Sequence, residues 1–293
     1  MTTNSYSLPH PVSRELSAIR TGFRFLTALA PELAGKVAFN LFLTPRRRAV
    51  SKKSRPIFNE AKHVTIPHGS RQLAAYVWGN EGPTILLVHG WESDASRMRG
   101  FIRPLRQQGF RVIAFDAPAH GNSTGKQTNL VDYSGSIHSV VQKLGPVDGI
   151  VAHSFGAATT MLMLSRSPNI GVKCVVTIGS PSNPSKMVQI WTSALALKRP
   201  IVDRMMQRIV DRVGVPFESL VVETAVSHLT IPGLIFHDKN DSIVPYTEGV
   251  AIARSWQSAE LVATEGLDHR GALYNSKIIN QITLFLADQI ELV

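Results

Sequence analysis

A single cysteine, Cys174, is all the thiol chemistry in this chain of 293 residues. No internal disulfide can form, which fits a reducing compartment and a cytoplasmic location. Cys174 stands in the apolar run from Val172 to Ile178, so it reads as a buried, inert thiol rather than a nucleophile. No Cys/His cluster has zinc-ligand spacing, and no metal is expected. Charged residues are sparse at 18% against 44% apolar ones, the balance of a globular protein with a well-buried core. Long apolar runs are missing too: none approaches the length that spans a bilayer, so no transmembrane helix is expected. Arg14, Glu15, Arg20 and Arg24 interrupt the first 30 residues, which lack the clean apolar core of a signal peptide. Internal repeats and low-complexity tracts are absent.

Acidic residues are in short supply, 21 against 31 Lys and Arg, for a net charge of +10. The excess is uneven. Residues 1–60 hold ten cations (14, 20, 24, 36, 46, 47, 48, 52, 53 and 55) and three acids, which carries +7 of the total. Residues 1–55 therefore read as a basic N-terminal arm on a nearly balanced body of residues 56–293. Leu16, Ile19, Phe23, Leu26 and Leu29 follow helical spacing, Pro31 restarts the helix, and the pattern runs on to Leu43. An amphipathic arm packed on the body or on a partner is the favoured reading, because charge runs are usually just solvated. Peripheral membrane contact through attraction to anionic lipid is the alternative. No nucleic-acid partner is expected, and a homodimer is left open.

From about residue 60 short apolar strands alternate with amphipathic helices. Strands are expected at 64–66, 73–78, 84–88, 111–115, 148–153, 173–179, 231–237 and 259–264. Helices are expected at 95–108, 129–144, 155–166, 246–256 and 275–290. This grammar predicts an α/β fold: a mostly parallel central sheet with helices on both faces and an antiparallel hairpin at one edge. Residues 181–230 break the alternation. Helices expected at 186–197, 200–213 and 217–228 make that insertion a helical cap, placed after strand 173–179. The carboxyl edge of such a sheet is where ligands bind.

Chemistry concentrates at strand ends. Ala152-His153-Ser154-Phe155-Gly156 joins the strand ending in Gly149-Ile150-Val151 to the helix that follows. A serine at such a sharp turn projects its hydroxyl beside the N–H groups of a helix start, and the turn needs small neighbours. A serine hydroxyl needs a base to take its proton and a third group to orient that base. Both are available later in the chain: strand 231–237 runs into Asp238 and Asp241, and strand 259–264 is followed by Asp268-His269-Arg270.

In this order and context the chain resembles the α/β-hydrolase family over residues ~60–290. His89-Gly90-Trp91 is similar to the family's oxyanion loop. Residues 116–123, D-A-P-A-H-G-N-S, resemble its D-x-P-x-H-G-x-S turn. Residues 152–156 match the nucleophile elbow with Ala152 in place of the first glycine, and Asp241 with Val244-Pro245 matches the acid turn. The resemblance implies Ser154 as nucleophile, His269 as base and Asp241 as the acid, preferred to Asp238 because the Val-Pro pair fixes the turn at Asp241. It implies the backbone N–H groups of Trp91 and Phe155 as oxyanion donors, supported by His89, Gly90 and Gly156. His153, His120 and Asp116 are expected to be structural. The implied activity is cofactor-free hydrolysis of small to medium carboxylic esters through an acyl-enzyme. Thioester or C–C hydrolysis is the alternative within the fold, and a non-catalytic binding protein the alternative outside it.

Overall fold

The computed structural model describes residues 14–47 and 52–291; Arg48 of the basic run lies outside them. The chain divides into two compact units, one of residues 14–44 with 183–219 and one of residues 45–182 with 220–291.

The larger unit is an eight-stranded sheet. After α1 (Arg14–Leu29) and α2 (Pro31–Leu43), which belong to the other unit, a short helix, α3 (Arg55–Asn59), leads into β1 (Lys62–His68), β2 (Arg71–Trp78), β3 (Thr84–Val88), α4 (Arg99–Gln107) and β4 (Arg111–Phe115). Then follow α5 (Leu130–Leu144), β5 (Gly149–His153), α6 (Phe155–Arg166) and β6 (Cys174–Ile178). After the insertion, α9 (Val222–Val226), β7 (Gly233–Asp238), α10 (Tyr246–Ser255), β8 (Ala259–Thr264), the single turn α11 (Asp268–Gly271) and α12 (Ser276–Gln289) complete it. The strand order is β1-β2-β4-β3-β5-β6-β7-β8. β1 pairs antiparallel with β2, β2 pairs antiparallel with β4, and every other neighbour is parallel.

The pattern of burial explains this order. β3, β5, β6 and β7 are buried at every position, as strands covered on both faces must be, and they form the middle of the sheet. β1 alternates exposed and covered residues, as an edge strand does. One face is covered by α5, α6, α9 and α10, with Tyr133, Met161, Leu162 and Trp256 in its core. The other is covered by α4 and α12, with Phe101, Leu105, Ile282 and Leu286. Residues 217–228 resolve differently from one helix: a 3-10 turn at Phe217–Leu220 and then α9, whose Val222 and Val226 join the core of the sheet. The helix expected from residue 95 begins as a 3-10 turn, Ala95–Met98, because the Asp94 carboxylate accepts the Ser96 N–H at 2.8 Å and tightens that turn.

The smaller unit is built from α1 (Arg14–Leu29), α2 (Pro31–Leu43), α7 (Pro184–Ala194) and α8 (Arg199–Val213). The arm and the inserted helices share one apolar cluster, in which Phe23, Ala34 and Ala38 meet Val188, Ile201, Met205 and Ile209. Phe42 stands edge-on to Trp191 with ring centres 5.2 Å apart. Arg20 donates to the Ala194 carbonyl at 2.9 Å, and Arg204 bonds Glu32 at 2.6 Å. Composition separated the arm from the cap; their apolar faces unite them.

Candidate active site

Ser154 sits between β5 and α6 at φ 55°, ψ −125°, a conformation that a side chain adopts only under constraint. Its N–H is fixed to the Ile178 carbonyl at 2.8 Å. Gly156 lets the turn close on β3: a Cβ there would lie 2.1 Å from the His89 carbonyl oxygen. Ala152 is fully buried opposite Val88, so the elbow accommodates its methyl.

The serine hydroxyl lies 2.9 Å from His269 Nε2, and His269 Nδ1 lies 2.8 Å from Asp241 Oδ2. The other oxygen of Asp241 accepts the N–H groups of Ile243 and Val244, each at 2.8 Å. The carboxylate is therefore locked in one orientation with its free oxygen on the imidazole. Asp241 and His269 side chains are 1% and 5% exposed, so this pair lies largely out of water. Asp238 faces elsewhere. It takes the Asn240 N–H, the Thr264 hydroxyl and the Leu267 N–H, and these bonds hold its carboxyl below the usual range against the opposing effect of burial.

The loop 89–91 lies across the elbow. Gly90 brings it close: a Cβ there would meet Ser154 Cβ at 3.0 Å. Among the described residues, no acceptor in the chain takes the N–H of Trp91 or of Phe155. The Trp91 ring stands edge-on to Phe155 at 5.2 Å and to His120 at 5.3 Å. His89 is completely buried. It donates from Nδ1 to the Gly90 carbonyl and accepts the Ala117 N–H at Nε2. That pattern fixes a neutral tautomer, and burial pushes its pKa down to about 4. His120 likewise accepts the Glu92 N–H at 3.2 Å, and burial, then the neighbouring His89, take it down to about 3. Asp116 spans two loops, accepting the N–H groups of Ala95 and Asn122, with burial lifting its pKa to about 6.

Several supports of this site have no local signature in the sequence. His153 donates to the backbone carbonyl of His269 at 3.0 Å, and burial takes its pKa to about 3, so it anchors the imidazole as a neutral ring. Asp268, at φ 53°, accepts both the N–H and hydroxyl of Ser242 at 2.8 Å, tying the histidine turn to the acid turn. His237 lies against the acid turn with Nε2 on the Val244 carbonyl at 2.9 Å. Gly179, at φ 59°, leaves room for the Asp241–His269 pair: a Cβ would stand 3.2 Å from His269 Nδ1 and 3.3 Å from Asp241 Oδ2. Arg47 donates to the carbonyls of Gly121, Ser123 and Gly125 at 2.6, 2.6 and 2.9 Å, while the Arg46 N–H reaches the Glu92 carboxylate at 3.3 Å. One short segment thus braces both the turn that carries His120 and the loop that carries Trp91.

The enclosed space beside Ser154 and His269 is small, about 30 Å³, and is walled by Trp91, Arg97, His153, Arg270, Leu273 and Tyr274. Two larger clefts, about 390 and 640 Å³, are lined without Ser154, Asp241 or His269. Among the described residues, no group of three or more Cys, His, Asp or Glu could hold a metal ion, and no helix is long and apolar enough to cross a membrane.

A mostly parallel eight-stranded sheet with a serine elbow after β5, an acid turn after β7 and a histidine after β8 defines an α/β-hydrolase fold. The family model for the alpha/beta hydrolase fold matches residues 83–230, half of the chain, and the protein belongs to that family. The bifunctional esterase/perhydrolase DCH of Acinetobacter calcoaceticus is 22% identical over 254 residues, which cover 70% of this chain and 91% of that one. A non-heme haloperoxidase of Rhodococcus erythropolis is 25% identical over 252 residues, covering 69% and 91%. Among solved structures, a Pyrococcus furiosus esterase superposes with TM-score 0.67 at 20% identity, covering 85% of this chain and all of that one. Est1E of Butyrivibrio proteoclasticus, solved with ferulic acid, gives TM-score 0.63 at 22% identity and covers 78% and 99%.

Proposed function

We propose that this hydrolase cleaves carboxylic esters by acyl transfer to Ser154. The observation that carries the reading is the unbroken line Asp241–His269–Ser154, with contacts of 2.8 and 2.9 Å. Nε2 of His269 takes the hydroxyl proton as Ser154 Oγ attacks the ester carbonyl. Asp241 holds Nδ1–H and stabilises the imidazolium that forms. The developing oxyanion is received by the N–H groups of Trp91 and Phe155, each such donor being worth about 3 kcal/mol. His269 then protonates the departing alcohol, and water repeats the sequence to release the acid. None of these steps calls on a cofactor.

The test is hydrolysis of p-nitrophenyl acetate, butyrate and octanoate by the protein and by Ser154→Ala. Release that depends on Ser154 is the expected result. Equal rates for both proteins would overturn the reading and leave a non-catalytic member of the family. The names of the two curated relatives favour one further arm, hydrogen peroxide as acceptor in place of water, which would turn the acyl-enzyme into a peracid. Thioester analogues in the same series separate ester from thioester preference.

A further inference from the structure

We infer that the ester taken by this site carries an anionic group, a carboxylate or a phosphate, that Arg97 and Arg270 bind beside Ser154. The inference rests on the ester-hydrolase reading above and names its substrate class. Both arginines wall the space at Ser154 and His269. Arg97 is part-buried, yet among the described residues its guanidinium has neither a hydrogen bond nor an ion pair. Arg270 follows the base directly, is exposed, and is equally unpaired.

The neighbouring charges are already committed. Arg99, the third arginine nearby, lies over the Tyr274 ring at 4.7 Å and donates to its hydroxyl at 3.3 Å. Glu92, the one carboxylate on the wall, accepts the Arg46 N–H and faces the Arg46 guanidinium at 3.9 Å. The Asp94 carboxylate caps the Ser96 N–H, and that of Asp268 is taken up by Ser242. The space in front of the nucleophile therefore carries uncompensated positive charge, in a place where partial burial weakens the screening by water. A guanidinium presents a fork of donors that matches the paired oxygens of a carboxylate or phosphate. The rest of the wall, Trp91, Leu273 and the Tyr274 ring, offers apolar surface at the mouth of this small space, along which a short linker can run from the scissile carbonyl to the anion outside it.

The experiment compares p-nitrophenyl butyrate with p-nitrophenyl hemiglutarate, a neutral and an anionic acyl group of similar reach. The expected ratio of kcat/KM, hemiglutarate over butyrate, exceeds about tenfold at low salt. That ratio falls about tenfold in Arg97→Gln and in Arg270→Gln, and falls with added salt. Inorganic phosphate and glutarate, tested as competitive inhibitors of butyrate hydrolysis, separate the two anions by their inhibition constants. Butyrate cleaved as well as hemiglutarate, or a ratio that both arginine variants preserve, overturns the inference while the ester reading stands. Binding of glutarate to Ser154→Ala, measured by calorimetry against Ser154→Ala/Arg97→Gln, decides the anion site independently of turnover. Equal affinity in the two proteins refutes it even if neither ester is cleaved.

Discussion

Replacing Asp241 by asparagine tests the acid assignment through a hydrogen-bond argument that leaves little freedom. Oδ1 of Asp241 accepts two backbone N–H groups, from Ile243 and Val244. An asparagine must place its carbonyl oxygen there, because its NH2 cannot face two donors. The NH2 then occupies the Oδ2 position, 2.8 Å from His269 Nδ1. Nδ1 must become an acceptor, the proton moves to Nε2, and the ring presents N–H rather than a lone pair to the Ser154 hydroxyl. The base is in the wrong tautomer, and a loss of about 10⁴ in kcat follows, with KM nearly unchanged. In Asp238→Asn the bonds to the Asn240 and Leu267 N–H groups and the Thr264 hydroxyl are disturbed, none of them a bond to the imidazole, so kcat falls by less than about tenfold. The assay is steady-state hydrolysis of p-nitrophenyl butyrate, with circular dichroism to verify folding. If Asp238→Asn proves the more damaging of the two, the acid is misassigned and the tautomer argument falls with it.

Gly156→Ala drives a methyl to 2.1 Å from the His89 carbonyl and costs about 3 kcal/mol, visible as a Tm lowered by about 8 °C. The buried neutral histidines should make stability fall with pH. Their folded pKa values, about 4 for His89 and about 3 for His120 and His153, lie below the unfolded value, so their contribution is present above about pH 6.5 and is lost as pH falls. Asp116, raised to about 6, opposes this by giving up a proton on unfolding. Near pH 5 these four groups together take up about two protons on unfolding, a slope of about 2.7 kcal/mol per pH unit that His237, also held down by burial, steepens; it is read from urea midpoints between pH 4 and 6.5. Stability flat across that window would refute it. Arg47→Ala frees three carbonyls of the 121–125 turn and lowers kcat about tenfold through His120, which that turn carries against the Trp91 ring and the Glu92 N–H; a kcat within about twofold of the parent would make that brace merely structural.

The parts of the site legible in the sequence are those written in local turn chemistry. Ser154 announces itself through small neighbours between a strand and a helix, and Asp241 through the Val244-Pro245 that ends its turn. The strands were legible because buried parallel strands are short apolar runs. What stayed hidden depends on residues that meet only after folding. His153 touching the His269 carbonyl, Asp268 bridging to Ser242, and Arg47 bracing residues 121–125 have no spacing that foretells them. The same holds for Val222 and Val226, apolar residues at helical spacing whose pattern says that they are buried but not against what. Helical periodicity likewise showed that α1 and α2 each have an apolar face, and was silent on the helices that cover it.

That covering has a consequence for synthesis and for truncation. α1 and α2 leave the ribosome well over a hundred residues before α7 and α8, which complete their cluster. Until then Phe23, Ala34 and Ala38 lack their native neighbours, and closing so long a loop is a late event in folding. A shortened protein starting near residue 56 would in turn strand Val188, Ile201, Met205 and Ile209 in water. Such a protein would bind detergents, vesicles and other copies of itself through a surface that the intact chain conceals, so membrane affinity has to be measured with the full chain and charge-reversing substitutions such as Arg24→Glu.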